Sequence, residues 1–280
     1  MKQEKMHETT SVLDLTDLSM MYHFDEEYYP AFLKSTACNR IYLGSYFCDK
    51  YMIKTVNIML RLAAVFFRKE QIRITLVVPA FSEHILQGGK GAIELALCSY
   101  ADLIDEIVAN DYGMLRYLKQ IRDESGYSFG LIAGRLFFRN YRDKRFAQEE
   151  NISGPIFFPA ELKGLVEAAD LDLVHEWMDF SEIPADVKIH IHYPYVYETC
   201  GAICEFASAR QPDHGKFRTM LPCGNACMRG YMQTMSDQAE YLHLGKAIYT
   251  KACEVAWYSR QPDRFIYWPV RELIQEGDRL

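Results

Sequence analysis

The sequence holds no uninterrupted apolar run long enough to cross a membrane. Its most apolar helical stretch, residues 51–71, is broken by Lys54, Asn57 and Arg61, whereas a span needs ~20 apolar residues in a row. That stretch reads as a core-packed helix. Basic charge is not in excess either: 31 Lys and Arg stand against 38 Asp and Glu, a net charge of −7. A chain-wide basic surface for nucleic acid or acidic lipid is thereby excluded, although a local basic patch is not. There is no Gly-, Ser- or Pro-rich linker and no fixed-period repeat. The expectation is one domain over residues 18–280, preceded by a flexible lead-in over 1–17. The opening MKQEKMHETTSVLDL mixes charges of both signs without an apolar run, so the expected location is cytoplasmic.

Familiar catalytic signatures are missing too. There is no GxSxG elbow, and HEWMD at 175–179 lacks the second histidine of a zinc-protease helix. QGGKGA at 87–92 is not a phosphate loop, because position 84, where a glycine would be needed, is His84. A chain of 280 residues buries enough surface to fold without disulfides.

What is present is an alternation of short β-rich runs with longer helical patterns. Strands are expected near 20–24, 40–44, 73–79, 106–110, 130–134, 173–179, 188–193 and 241–245. Helices are expected at 51–71, 91–104, 112–123 and 159–169. About eight strand–helix units point to an α/β fold of TIM-barrel-like (β/α)8 type, irregular at its first and last strands.

The cysteines are the most informative feature. Four of the eight, Cys200, Cys204, Cys223 and Cys227, fall within CGAICEFASARQPDHGKFRTMLPCGNAC as two Cys-x3-Cys pairs. In a reducing compartment, such clustering favours metal ligation over disulfides. A structural zinc site fits the spacing. An iron–sulfur cluster also takes four thiolates and draws them from distant parts of a fold. Cys48 follows the 40–44 strand as Cys200 and Cys204 follow the 188–193 strand. In a parallel barrel both loops open on the C-terminal face, which favours the cluster. Cys38, Cys98 and Cys253, taken singly, read as packing thiols.

The blocks IYLGSYFCDKYM (41–52), IVANDYGMLRYL (107–118), LIAGRLFFRNYRDKRF (131–146) and IHYPYVYETCGAICEFASAR (191–210) resemble successive blocks of peptidase family U32, the collagenase-like family, in its short iron–sulfur members of the UbiU/UbiV type. The resemblance spans roughly residues 20–270. It implies a 4Fe–4S cluster on Cys48, Cys204, Cys223 and Cys227, with Cys200 as the alternative to Cys204 and zinc as the alternative cofactor. It further implies oxygen-independent hydroxylation or modification of a small aromatic or quinone precursor or an RNA base. Its alternatives are a collagenase-like peptidase and a non-catalytic, metal-stabilised subunit of a heterodimer with a second U32-like chain. The sequence departs from the family at Arg142-Asp143-Lys144-Arg145, where Lys144 replaces a proline.

Arg135, Asp111, Glu176 and Asp179 fall at expected strand ends on the same face and form the candidate catalytic set. Arg135 suits a substrate carboxylate and the acids suit proton transfer. A plainer reading makes Asn110 and Asp111 helix caps. His190 and His192 alternate along one strand and so share a side; they read as hydrogen-bonded interior histidines rather than ligands. The basic run from Arg135 to Arg145 reads as a solvated face.

Overall fold

A computed structural model describes residues 12–17, 38–137, 162, 164–171, 177–178, 180, 183–236, 239–251, 257–258 and 260–270. Eight parallel strands pair into a ring: β1 (Val12–Asp14), β2 (Arg40–Gly44), β3 (Arg73–Val78), β4 (Ile104–Ala109), β5 (Gly130–Ala133), β6 (Ala168–Leu171), β8 (Lys188–Tyr193) and β14 (Arg264–Tyr267). The order is β1-β14-β8-β6-β5-β4-β3-β2, and β1 closes it through Val12↔Arg40 on one side and Val12↔Ile266 on the other. β3 shows why these segments become parallel strands. In Ile74-Thr75-Leu76-Val77-Val78 every residue is buried, as required of a strand covered on both faces.

Three helices follow β2, β3 and β4: α1 (Asp49–Glu70), α2 (Leu86–Tyr100) and α3 (Tyr112–Ser125). On α1 the buried positions Tyr51, Met52, Thr55, Val56, Met59, Leu60 and Ala63 repeat at helical spacing and form one stripe against the ring. α3 starts where the Asp111 carboxylate accepts from Met114 N at 2.7 Å. It stops at Gly126, whose φ of 69° is left-handed.

The (β/α)8 expectation is not met. Among the described residues there are four α-helices, the fourth being a single turn, α4 (Glu205–Ser208). A separate four-stranded antiparallel sheet stands beside the ring, in the order β10 (Met232–Met235), β11 (Glu240–Leu244), β12 (Ala247–Lys251) and β9 (Tyr195–Cys200). The run expected as a barrel strand near 241–245 is β11 of this sheet. It turns back into β12 through Gly245-Lys246, with Leu244 opposite Ala247, a two-residue hairpin that forces antiparallel pairing. β7 (Trp177–Met178) pairs with β13 (Trp257–Tyr258) outside the ring. The lead-in drawn to position 17 takes in β1, and the helix drawn over 159–169 takes in the start of β6. The strand expected at 20–24 lies outside the described residues.

The inside of the ring is polar. Arg264 on β14 reaches Glu106 on β4, four strands away around the ring, with both guanidinium nitrogens at 2.8 and 3.0 Å. Side chains from opposite walls therefore meet along the axis. Glu106 also takes Arg40 at 3.1 Å and the Thr75 hydroxyl at 2.8 Å. Nearer the C-terminal ends, Arg264 donates to the Tyr42 hydroxyl, which sits 3.3 Å from His190 Nδ1.

Candidate metal centre

The C-terminal end of the ring is crowded with buried polar groups. His192 lies between two carboxylates, its Nδ1 3.1 Å from Asp14 and its Nε2 3.6 Å from Asp170. Tyr46 donates to Asp170 at 3.0 Å and lies 3.1 Å from His192 Nε2. His190 Nδ1 is 3.0 Å from the other Asp170 oxygen. Burial alone would raise Asp170, but the hydrogen bonds and charges of His190 and His192 outweigh it and hold the carboxyl well below the usual range. Arg135 stands here as well, only 1% exposed, 3.4 Å from Asp14 and over the Tyr46 ring at 4.6 Å. An aromatic layer from β9, β12 and the segment after β14 lies over this end. Phe47 stacks on Tyr197 at 4.4 Å, Tyr249 packs on Trp268 at 4.5 Å, and the Trp268 indole donates to Thr16 O.

The cysteines gather beside this layer. Gly44 ends β2 with φ +117°, a conformation that side chains resist. It turns the chain into Ser45, whose hydroxyl accepts from Cys48 N at 2.8 Å, so Cys48 is fixed just ahead of α1. Cys204 precedes α4, and its thiol points at Gly245 O in the β11–β12 hairpin at 3.5 Å. Cys223 and Cys227 flank a turn in which Asn225 is left-handed; Cys223 Sγ lies 3.0 Å from the Asn225 amide oxygen. Cys204, Cys223 and Cys227 line one cavity of about 220 Å³, together with Arg210, Pro222 and Gly224. Cys227 is buried there, whereas Arg210, Pro222 and Gly224 are exposed, so the thiol marks the floor and the guanidinium the mouth. Burial first, then the neighbouring charges of Cys48, Asp17, Cys204 and Cys223, push the Cys227 thiol far above its ordinary range. Such coupling needs proximity. The four thiols are therefore one group, drawn from three loops. Burial and Asp17 likewise push Cys48 up to about 12.

Cations surround this group. Lys246 of the hairpin pairs with Asp49 at 2.7 Å and feels Cys48 and Cys204. Lys50 and Lys54, one turn apart at the start of α1, donate to Leu221 O at 3.0 Å and to Cys223 O at 2.8 Å. They pin the loop that carries Cys223. Sequence reading did not single out these lysines. Their signal was present: an i, i+4 lysine pair directly after Cys48 on a helix, and a lysine beside the hairpin glycine.

The other candidates fall as follows. Cys200 ends β9, receives the Tyr197 hydroxyl at 3.3 Å, and is not among the residues that line the cavity. Asp111 is a helix cap. Arg135 is enclosed with Asp14 in the ring. Glu176, Asp179 and Cys253 lie outside the described residues, as does the basic run beyond position 137. Cys38 donates to Arg40 O at 2.8 Å and Cys98 is exposed on α2.

No three described side chains are disposed as ligands of a single metal ion. The four cysteines match in number and donor type what a four-iron cluster takes. No described helix is long and apolar enough to cross a membrane. No family model, curated protein or solved structure matches this chain.

Proposed function

We propose that the chain is a 4Fe–4S protein, similar to the short members of peptidase family U32, that acts in oxygen-independent hydroxylation or modification of a small aromatic or quinone precursor or an RNA base. The observation that carries this reading is the convergence of Cys48, Cys204, Cys223 and Cys227, three of them around one cavity. Burial and neighbouring charge push the Cys48 and Cys227 thiols up, so holding these two as thiolates requires positive charge beside them. A cluster provides that charge, and when bound it supplies one-electron transfer or a Lewis-acidic iron edge. The protein's own residues hold the frame. Lys50 and Lys54 fix the Cys223 loop, Lys246 and Asp49 tie the hairpin to α1, and the Ser45 hydroxyl seats Cys48. Asp14, His192, Asp170 and Tyr46 form a hydrogen-bonded set able to hold and move a proton at the end of the ring.

The same thiols speak against a cysteine peptidase. An activated nucleophile is held toward the thiolate by a nearby base or cation, whereas Cys48 and Cys227 are pushed the other way. A heterodimer with a second U32-like chain belongs to the same proposal. Phe217 and Met220, 68% and 64% exposed on the segment before Cys223, offer it an apolar face.

The test is anaerobic purification with iron, sulfide and zinc analysis. About four irons and four sulfides per chain are expected, with serine at 48, 204, 223 or 227 abolishing them and Cys200→Ser retaining them. One zinc without sulfide refutes the cluster.

A further inference from the structure

The cation at the mouth of the cysteine cavity differs from the others around it. Lys50 and Lys54 are engaged by backbone carbonyls and Lys246 by Asp49. Arg210 has no hydrogen-bond or ion-pair partner among the described residues. It is exposed and lines the cavity that Cys204, Cys223 and Cys227 share. A Cβ built on Gly224 would lie 2.9 Å from Arg210 Nη1, so the guanidinium lies against the turn between Cys223 and Cys227. Beside it, Phe206 and Pro222 give the same wall apolar surface.

We infer that Arg210 is the anion-binding residue of this site and receives the carboxylate of a small aromatic acid, whose ring rests on the Phe206 and Pro222 wall. A planar guanidinium fits a carboxylate through two parallel hydrogen bonds, which an ammonium cannot reproduce. Arg135, the sequence candidate for this task, already faces Asp14 in an enclosed ring; Arg210 has nothing to release before binding. The inference rests on the cysteine cavity being the working site. It adds that the substrate is an anion held at the mouth.

The experiment is calorimetric titration of the anaerobically purified full-length protein with benzoate, benzamide and inorganic phosphate, with iron and sulfide measured on the same batch. Benzoate is expected to bind and benzamide not to. Arg210→Gln is expected to weaken benzoate about ten- to a hundredfold, the scale of losing charge-assisted hydrogen bonds. Arg210→Lys should recover only part of that loss. Arg68→Gln, remote and paired with Asp102, should bind as the unaltered protein does. Absence of benzoate binding, equal binding by Arg210→Gln, or a preference for phosphate overturns the inference. Arg210-dependent benzoate binding in protein lacking iron and sulfide supports the anion site and sinks the cluster reading alone. A full cluster without benzoate binding does the reverse.

Discussion

Replacing Glu106 by Gln tests whether the polar interior of the ring holds the fold together. Glu106 is the hub of that interior, with Arg264 on two nitrogens, Arg40 at 3.1 Å and Thr75 at 2.8 Å. Burial raises its pKa, but the hydrogen bonds and charge of Arg264, then Arg40 and Thr75, outweigh it and bring the carboxyl down from 4.5 to about 2. At 1.36 kcal/mol for each pH unit, that displacement corresponds to about 3 kcal/mol of stability at neutral pH. Its side chain is 19% exposed, so little is lost to solvent screening. Because the folded value lies below the unfolded one, the contribution is complete above 4.5, declines as pH falls through that value, and vanishes below about 2. Urea unfolding of wild type and Glu106→Gln should therefore differ by about 3 kcal/mol at neutral pH and by less than half of that near pH 3. Glu106→Ala should cost more, about 3–5 kcal/mol, since it leaves two guanidiniums without their shared acceptor. A neutral-pH gap below about 1 kcal/mol, or one that does not shrink in acid, would refute the argument.

Two other substitutions separate support of the site from support of the fold. Gly44→Ala places a Cβ 2.2 Å from Val77 O at a φ of +117°. It should cost at least about 2 kcal/mol and reduce iron retention, because Gly44 leads into Ser45 and Cys48; unchanged melting temperature and iron content would contradict this. Asp111→Ala should cost about 1 kcal/mol as a lost cap with iron, sulfide and benzoate binding intact, and loss of any of these would return Asp111 to the site.

The strands that sequence reading placed well, β2, β3, β4, β5 and β8, are the ones whose runs are apolar or strictly alternating and bounded by a turn. β1, β6 and β14 were missed for one shared reason. They are three or four residues long, and each carries a charged group, Asp14, Asp170 or Arg264, where a hydrophobic ring would place Val or Ile. Their charge is explained by partners on other strands, such as Glu106 for Arg264 and His190 for Asp170, and no local pattern encodes that. The grouping of cysteines was legible in their spacing, and three of them, Cys204, Cys223 and Cys227, line one cavity. What separates Cys200 from Cys204, four positions apart, was not legible: Cys204 lines the cavity with Cys223 and Cys227, and Cys200 ends β9 opposite Ala247.

The polar ring interior and the cysteine group differ in their electrostatics, and the difference bears on what each can do. Among the described residues, the ring sets the carboxylates of Asp14, Glu106 and Asp170 against the guanidiniums of Arg40, Arg135 and Arg264. Burial, opposed by Ser45 and reinforced by Asp14, holds Asp17 up to about 7. This assembly is compensated from within and needs no ion to exist. The thiols have no such internal partner. Lys50 and Lys54 spend their hydrogen bonds on carbonyls, Lys246 is shared with Asp49, and Arg210 stands at the rim. Burial favours the neutral thiol at Cys48 and Cys227, and positive charge placed beside them would favour the thiolate. Under the proposed function, metal-dependent chemistry would therefore fall to the cysteine cavity, and the ring, whose charges are paired internally, would need no ion.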